Sequence, residues 1–199
     1  MLIEYFKQMK MAFILLVLFT LLTGLIYPVL VTAIAQILFP WQTNGSLIIQ
    51  ENKIIGSQLI GQSFTDNRYF WGRPSATTPF PYNGLNSSGS NLGPMNPDLL
   101  KTVKNRITIL HQVDPSNLSP IPIDLVTASG SGLDPDISPY AALYQIPRIA
   151  KARGLSELQL KKLIDDCTTP RAFGILGEPR INVFFLNLAL DNLEKSKHA

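Results

Sequence analysis

The stretch DLVTASGSGLDPDISPYAALYQIPR, Asp124 to Arg148, gathers the residues of this chain that come nearest to chemistry. A short apolar run, Leu125-Val126, reads as a strand entering a loop of Ser129, Gly130, Ser131 and Gly132, after which Ser138-Pro139 opens a helix. Strand, glycine loop and helix in that order place backbone N–H groups where they can hold an anion such as a phosphate. Two features oppose this. Asp134 and Asp136 would repel phosphate, and neither G-x-x-x-x-G-K-[ST] nor G-x-G-x-x-G occurs. The same residues also suit a plain turn, with the glycines bending the chain and the aspartates capping the helix entry. On the residues alone, both readings stand.

Covalent and metal chemistry have less to work with. The chain holds two histidines and one cysteine. His111 follows an amphipathic helix, His198 lies at the C-terminal end and Cys167 stands alone, so a His/Cys metal site and a disulfide framework are both excluded. A nucleophilic serine needs an activating base and a shaped turn. Gly130-Ser131-Gly132 misses G-x-S-x-G because Leu133 stands at the last glycine, and no S-x-x-K occurs. A membrane-anchored exported hydrolase with a serine nucleophile is the alternative reading of the chain.

Gln145 and Arg148 flank Pro147, which breaks or kinks its helix and leaves irregular backbone beside two polar side chains. From Gly72 to Pro97 the chain turns to Pro, Ser, Gly, Asn and Thr. A structureless stretch of this length is a linker or a functional surface, and Phe80 and Tyr82 favour a packed loop. Its polar groups, Arg73, Ser75, Tyr82, Asn83, Ser88, Ser90 and Asn91, serve equally to cap backbone and to dock a partner.

These residues must be held by a mixed frame. Leu47-Ile48-Ile49 and Ile54-Ile55 read as a hairpin around Gln50 to Lys53, and Tyr69-Phe70-Trp71 as one more short strand. Asn96-Pro97 opens an amphipathic helix to about Leu110, Ser138-Pro139 one closed by Gly154, Ser156 with Gln159 one to about Cys167, and Asn182 one to about Leu193. The fold class is a single N-terminal transmembrane helix followed by one mixed α+β exported domain, with a small β-sheet and about four helices.

Residues 11–35 form the transmembrane helix, since from Met11 to Phe39 no charged residue interrupts the apolar run. About 20 apolar helical residues span a bilayer core. Ala33-Ile34-Ala35 fits a signal-cleavage pattern, but the run exceeds the roughly 7–15 apolar residues of a signal, which favours retention as an anchor. Lys7 and Lys10 precede the span, and no Lys or Arg follows it until Lys53. The positive-inside rule then leaves residues 1–10 cytoplasmic and residues 36–199 periplasmic or otherwise extracytoplasmic. Pro28 predicts a kink. The net charge of +3 is spread along the chain, and no basic stripe suggests nucleic acid.

Several runs carry a resemblance. Gly72 to Thr77, Ser87 to Pro94 with Asn96-Pro97, Asp124 to Asp134, Gln145 to Arg153, and Asn182-Val183 with Leu186 to Asp191 resemble the C subunit of the bacterial high-affinity potassium-transporting ATPase, the Kdp system. The matches keep the family's order over nearly the whole chain, and Asp136 departs from a histidine expected there. The resemblance implies a non-catalytic accessory subunit of a bacterial inner-membrane complex, assisting assembly and acting as a catalytic chaperone that raises the ATPase subunit's affinity for ATP. It implies three partners: a potassium-channel-like subunit, a P-type ATPase subunit and a very small membrane peptide. No cofactor would be tightly bound, with ATP reached through the ATPase subunit. It also implies a nucleotide contact at Gln145, with Arg148, Ser129 and Ser131 around it. Topology opposes that contact, because ATP is cytoplasmic and the charge asymmetry exports Gln145. Docking on the potassium-entry side of the channel-like subunit is the first expectation, and direct nucleotide binding the second.

Overall fold

The computed structural model describes residues 2–198, with side chains through Lys195. The chain divides into two compact units, Met1–Ser46 and Leu47–Ala199.

The first unit is helical. Helix α1 (Leu2–Leu21) passes through a π turn at Leu22–Ile26 into α2 (Tyr27–Leu38), and the short α3 (Pro40–Thr43) follows. Leu2–Leu38 is long and apolar enough to cross a membrane. The irregularity expected at Pro28 takes the form of that π turn. Pro28 has no N–H to give the carbonyl four residues back, and the wider turn carries the mismatch.

The second unit begins with the hairpin β1 (Leu47–Gln50) and β2 (Lys53–Ser57), antiparallel, with a register shift between Ile48 and Ile49. Glu51 and Asn52 carry φ of 48° and 63°, the left-handed pair that closes a tight two-residue turn. Helix α4 (Pro97–Val113) starts as expected, with Asn96 Oδ1 accepting the Asp98 N–H at 2.9 Å, and runs one turn beyond Leu110, so that it includes His111. A second two-stranded sheet pairs β3 (Asp136–Ile137) with β4 (Ile181–Asn182).

The helix opening at Ser138 is divided: α5 (Pro139–Tyr144) ends at Gln145, and α6 (Ile146–Arg153) restarts with Pro147 in its first turn, where a missing N–H leaves no bond unmade. Ser138 Oγ caps α5 by accepting the Ala141 N–H at 3.2 Å. The expected capping by Asp134 and Asp136 is not found. Asp134 Oδ1 instead accepts the Asp136 N–H at 3.0 Å, and Asp136 pairs with Arg180 at 3.0 Å. Helix α7 (Glu157–Cys167) opens with the reciprocal Ser156/Gln159 capping box. Helix α8 (Val183–His198) takes the Asn182 side chain as its cap and extends past Leu193. The side chain of His198 lies outside the described residues.

Helices α5 to α8 and β4 enclose the core, with Phe70, Ile149, Leu160, Ile164, Ile181, Leu186 and Leu190 almost fully buried. Each such side chain contributes roughly 1.5–3 kcal/mol by leaving water. Two expected strands are absent. Leu125 closes a 3-10 turn, Ile123–Leu125, and Tyr69 to Trp71 pairs with no strand. The second absence organises the candidate site.

Candidate functional site

Phe70 and Trp71 lack a strand partner because two side-chain amides take its place. Asn187, from α8, accepts the Phe70 N–H at 2.8 Å and donates to the Phe70 carbonyl at 3.0 Å. Gln145, at the break between α5 and α6, accepts the Trp71 N–H at 2.8 Å and donates to the Trp71 carbonyl at 3.1 Å. Consecutive residues are thus clamped by amides from two helices, and buried backbone groups find the partners a strand would have supplied.

Gln145 is 2% exposed and makes two further bonds, to the Ala141 carbonyl at 3.1 Å and from Arg148 Nη2 at 2.7 Å. Arg148 is buried as well. It donates to the carbonyls of Asn67 and Tyr69 and lies 4.5 Å from the Trp71 ring centre, as a cation over an aromatic face. Burial pushes its guanidinium down to about 10, against the opposing pull of the Asp114 and Asp66 carboxylates. One turn on, Arg153 stacks 4.6 Å from Tyr69, donates to the Arg68 carbonyl at 2.7 Å and pairs with Asp191 at 2.8 Å and with Glu194. After the break at Pro147, Arg148 thus holds residues 67–71 to α6, and Arg153 ties Arg68 and Tyr69 to α8.

The glycine loop is filled by protein. Ser75 Oγ donates to the Gly132 carbonyl at 2.7 Å and accepts the Tyr82 N–H at 2.9 Å. Ser87 Oγ donates to the Ser131 carbonyl at 3.0 Å, the Gly61 N–H to the Leu133 carbonyl at 2.8 Å, and the Ser129 N–H to the Pro74 carbonyl at 3.3 Å. At Gly132, with φ of 68°, a Cβ would lie 2.5 Å from Thr77 Cγ2 and 2.6 Å from the Ser88 carbonyl oxygen. Gly132 therefore lets one loop approach another closely.

Of the residues with an implied nucleotide contact, Gln145, Arg148 and Ser129 are buried. Ser131 is exposed, and its Oγ accepts the Leu133 N–H at 3.1 Å. The loop residues are largely engaged with one another. Arg73 pairs with Asp134 at 3.1 Å, and the Tyr82 hydroxyl donates to the Arg73 carbonyl. The Thr77 hydroxyl accepts the Asn83 N–H at 3.0 Å, while Asn83 Nδ2 donates to the Thr78 carbonyl at 2.8 Å. Ser88 is half-buried, and Ser90 and Asn91 are exposed. Asn187, Arg153 and Arg106 are the residues that sequence reasoning left without a role. Asn187 had a signal, as a lone amide within Phe184-Phe185-Leu186-Asn187-Leu188.

A further feature lies beside Trp71. Helix α4 and the segment before Tyr82 border a groove of about 400 Å³, with Arg73, Tyr82 and Arg106 on its wall. Among the described residues no group of three or more His, Cys, Asp or Glu side chains could hold a metal ion.

These features define a small mixed α and β domain preceded by one candidate membrane span, with its polar loops folded against each other. The family model for KdpC, the K+-transporting ATPase c chain, matches residues 9–192. The chain is 57% identical over 187 residues to the potassium-transporting ATPase KdpC subunit of Methylococcus capsulatus, covering 94% of this chain and 98% of that protein. It is 58% identical over 178 residues to the KdpC subunit of Herpetosiphon aurantiacus, covering 89% and 92%. With that of Methylibium petroleiphilum it shares 59% over 172 residues, covering 86% and 90%. The chain belongs to the KdpC family.

Proposed function

We propose that this chain is a non-catalytic accessory subunit of an ATP-driven potassium uptake complex, anchored in the bacterial inner membrane with its N-terminus cytoplasmic and residues 36–199 outside. The family membership and the single apolar helix support the subunit and anchor. The charge asymmetry around that helix supports the orientation. The second unit docks on the potassium-entry side of a channel-like subunit, beside a P-type ATPase subunit and a small membrane peptide, and stabilises their assembly. Any rise in ATP affinity is passed on through that assembly.

One observation carries this reading: both amide atoms of Gln145 are committed to Trp71, Ala141 and Arg148 inside the domain. To touch a nucleotide, Gln145 would have to leave Trp71 with unpaired buried backbone groups, at about 1–3 kcal/mol each. Gln145 acts as a brace.

The test is potassium-dependent ATP hydrolysis and uptake by the purified complex. Omitting the chain abolishes both, whereas Ser131→Ala keeps them within about twofold, because among the described residues the Ser131 hydroxyl hydrogen-bonds only with the Leu133 N–H. An anchored serine hydrolase predicts the reverse, with function lost in Ser131→Ala.

A further inference from the structure

The groove beside Trp71 has a composition that the domain's internal bracing does not use. Its walls are apolar where Phe64, Trp71, Ile109 and Val113 meet, and its volume of about 400 Å³ lies within the range of ligand-sized sites. Two guanidinium groups share that wall. Arg73 gives Nη1 to Asp134 at 3.1 Å and Nη2 to the Ala128 carbonyl at 3.5 Å, and its buried Nε has no hydrogen-bond partner. Arg106, half-buried on α4, has no hydrogen bond and no ion pair among the described residues. Both side chains line the groove together with Tyr82. Among the described residues no Asp or Glu lines the groove, and with Arg73 paired to Asp134 the unneutralised charge on its wall is Arg106.

The groove is held in shape from several directions. Trp71 is fixed by Gln145 through its backbone, by Arg148 over its ring and by an indole N–H bond to the Asp66 carbonyl at 3.0 Å. Tyr82 sits at φ of 58°, a conformation a bulky residue adopts only when its surroundings impose it. Apolar surface continues past the rim. Ile109 is 44% exposed, and Phe80, two residues before Tyr82, is 56% exposed. A small free acid would cover the groove and leave this flank wet.

We infer that the groove receives an extracytoplasmic segment of a neighbouring subunit in which an Asp or Glu stands beside an apolar side chain. The carboxylate meets Arg106, while the apolar neighbour fills the space against Trp71 and Ile109. The inference rests on the accessory-subunit reading above and adds the surface and the chemistry by which the domain docks. A carboxylate there would give the Arg106 guanidinium the partner it lacks among the described residues, and removing one partner of such a pair is costly.

The test uses the full chain in the intact complex, captured through a tag on the ATPase subunit. Arg106→Glu lowers the chain recovered with the complex about tenfold or more, and Arg106→Lys keeps it within about twofold. Both variants unfold at the wild-type temperature, since Arg106 has no internal ion pair among the described residues. Should charge reversal lower that temperature, Arg106→Gln supplies the same comparison with no charge added. A photo-crosslinking residue at Ile109, mapped by mass spectrometry, links to a neighbouring-subunit peptide with Asp or Glu within a few residues of the crosslink. Undiminished recovery of Arg106→Glu overturns the inference, as does a crosslink to lipid, to a free small acid or to a segment without a carboxylate. If the unmodified chain itself is not recovered, the accessory-subunit reading fails and the groove proposal fails with it.

Discussion

Gln145 shows how a residue with a signalling sort of address, polar and beside a proline, can be committed to architecture. Replacing it with Leu leaves the Trp71 N–H and carbonyl, and Arg148, short of partners. Gln145→Leu should cost about 2–4 kcal/mol of unfolding free energy, read by urea denaturation. A residue whose task was nucleotide contact would leave that stability nearly unchanged. Tyr82 offers a pH test at the same scale. Burial first and then the Asp134 carboxylate push its hydroxyl up to about 12, with Arg106 and Arg73 pulling the other way. In the unfolded chain the same group ionises near 10. Its contribution to stability is therefore complete below about pH 10 and is lost as pH rises through about 12. Phenolate absorbance of the folded chain should show a late tyrosine that is missing in Tyr82→Phe.

At the scale of elements, two glycines with left-handed backbone separate strain from crowding. Gly154 ends α6 at φ of 61°, and a Cβ there would meet nothing within 4 Å, so Gly154→Ala costs only the backbone conformation, about 1 kcal/mol. Gly132 has the same backbone sign, but a Cβ there would meet Thr77 and the Ser88 carbonyl. Gly132→Ala must move one loop off the other, and thermal unfolding should show it costing at least about twice as much as Gly154→Ala. The contrast also explains what the sequence made legible. Caps at Asn96, Ser138, Ser156 and Asn182, the break at Pro147 and the stop at Gly154 are local events written within a few residues, and all stand in the structure. Phe70 and Trp71 read as a strand because their side chains suit one, yet their partners come from Asn187 and Gln145, far along the chain. The phosphate-loop resemblance of Ser129 to Gly132 failed to show that Ser75 and Ser87 occupy those carbonyls. No local pattern encodes either contact.

For the whole molecule, the family and the single apolar helix were both legible, the first from motifs spread along the chain and the second from an unbroken apolar run. The groove was not, because its arginines come from two elements and its apolar wall from three segments. The central claim is that residues 36–199 serve the pump from outside the membrane, away from cytoplasmic ATP. Leu85 is almost fully exposed and suits a reporter thiol, whereas Cys167 is half-buried and its thiol is pushed up by burial. The direct measurement is labelling of Leu85→Cys, in a Cys167→Ser chain assembled into the working complex, by a membrane-impermeant thiol reagent on intact spheroplasts. The account predicts full labelling before permeabilisation, with potassium uptake retained. Protection of that thiol until the membrane is opened would put the domain beside ATP and contradict it.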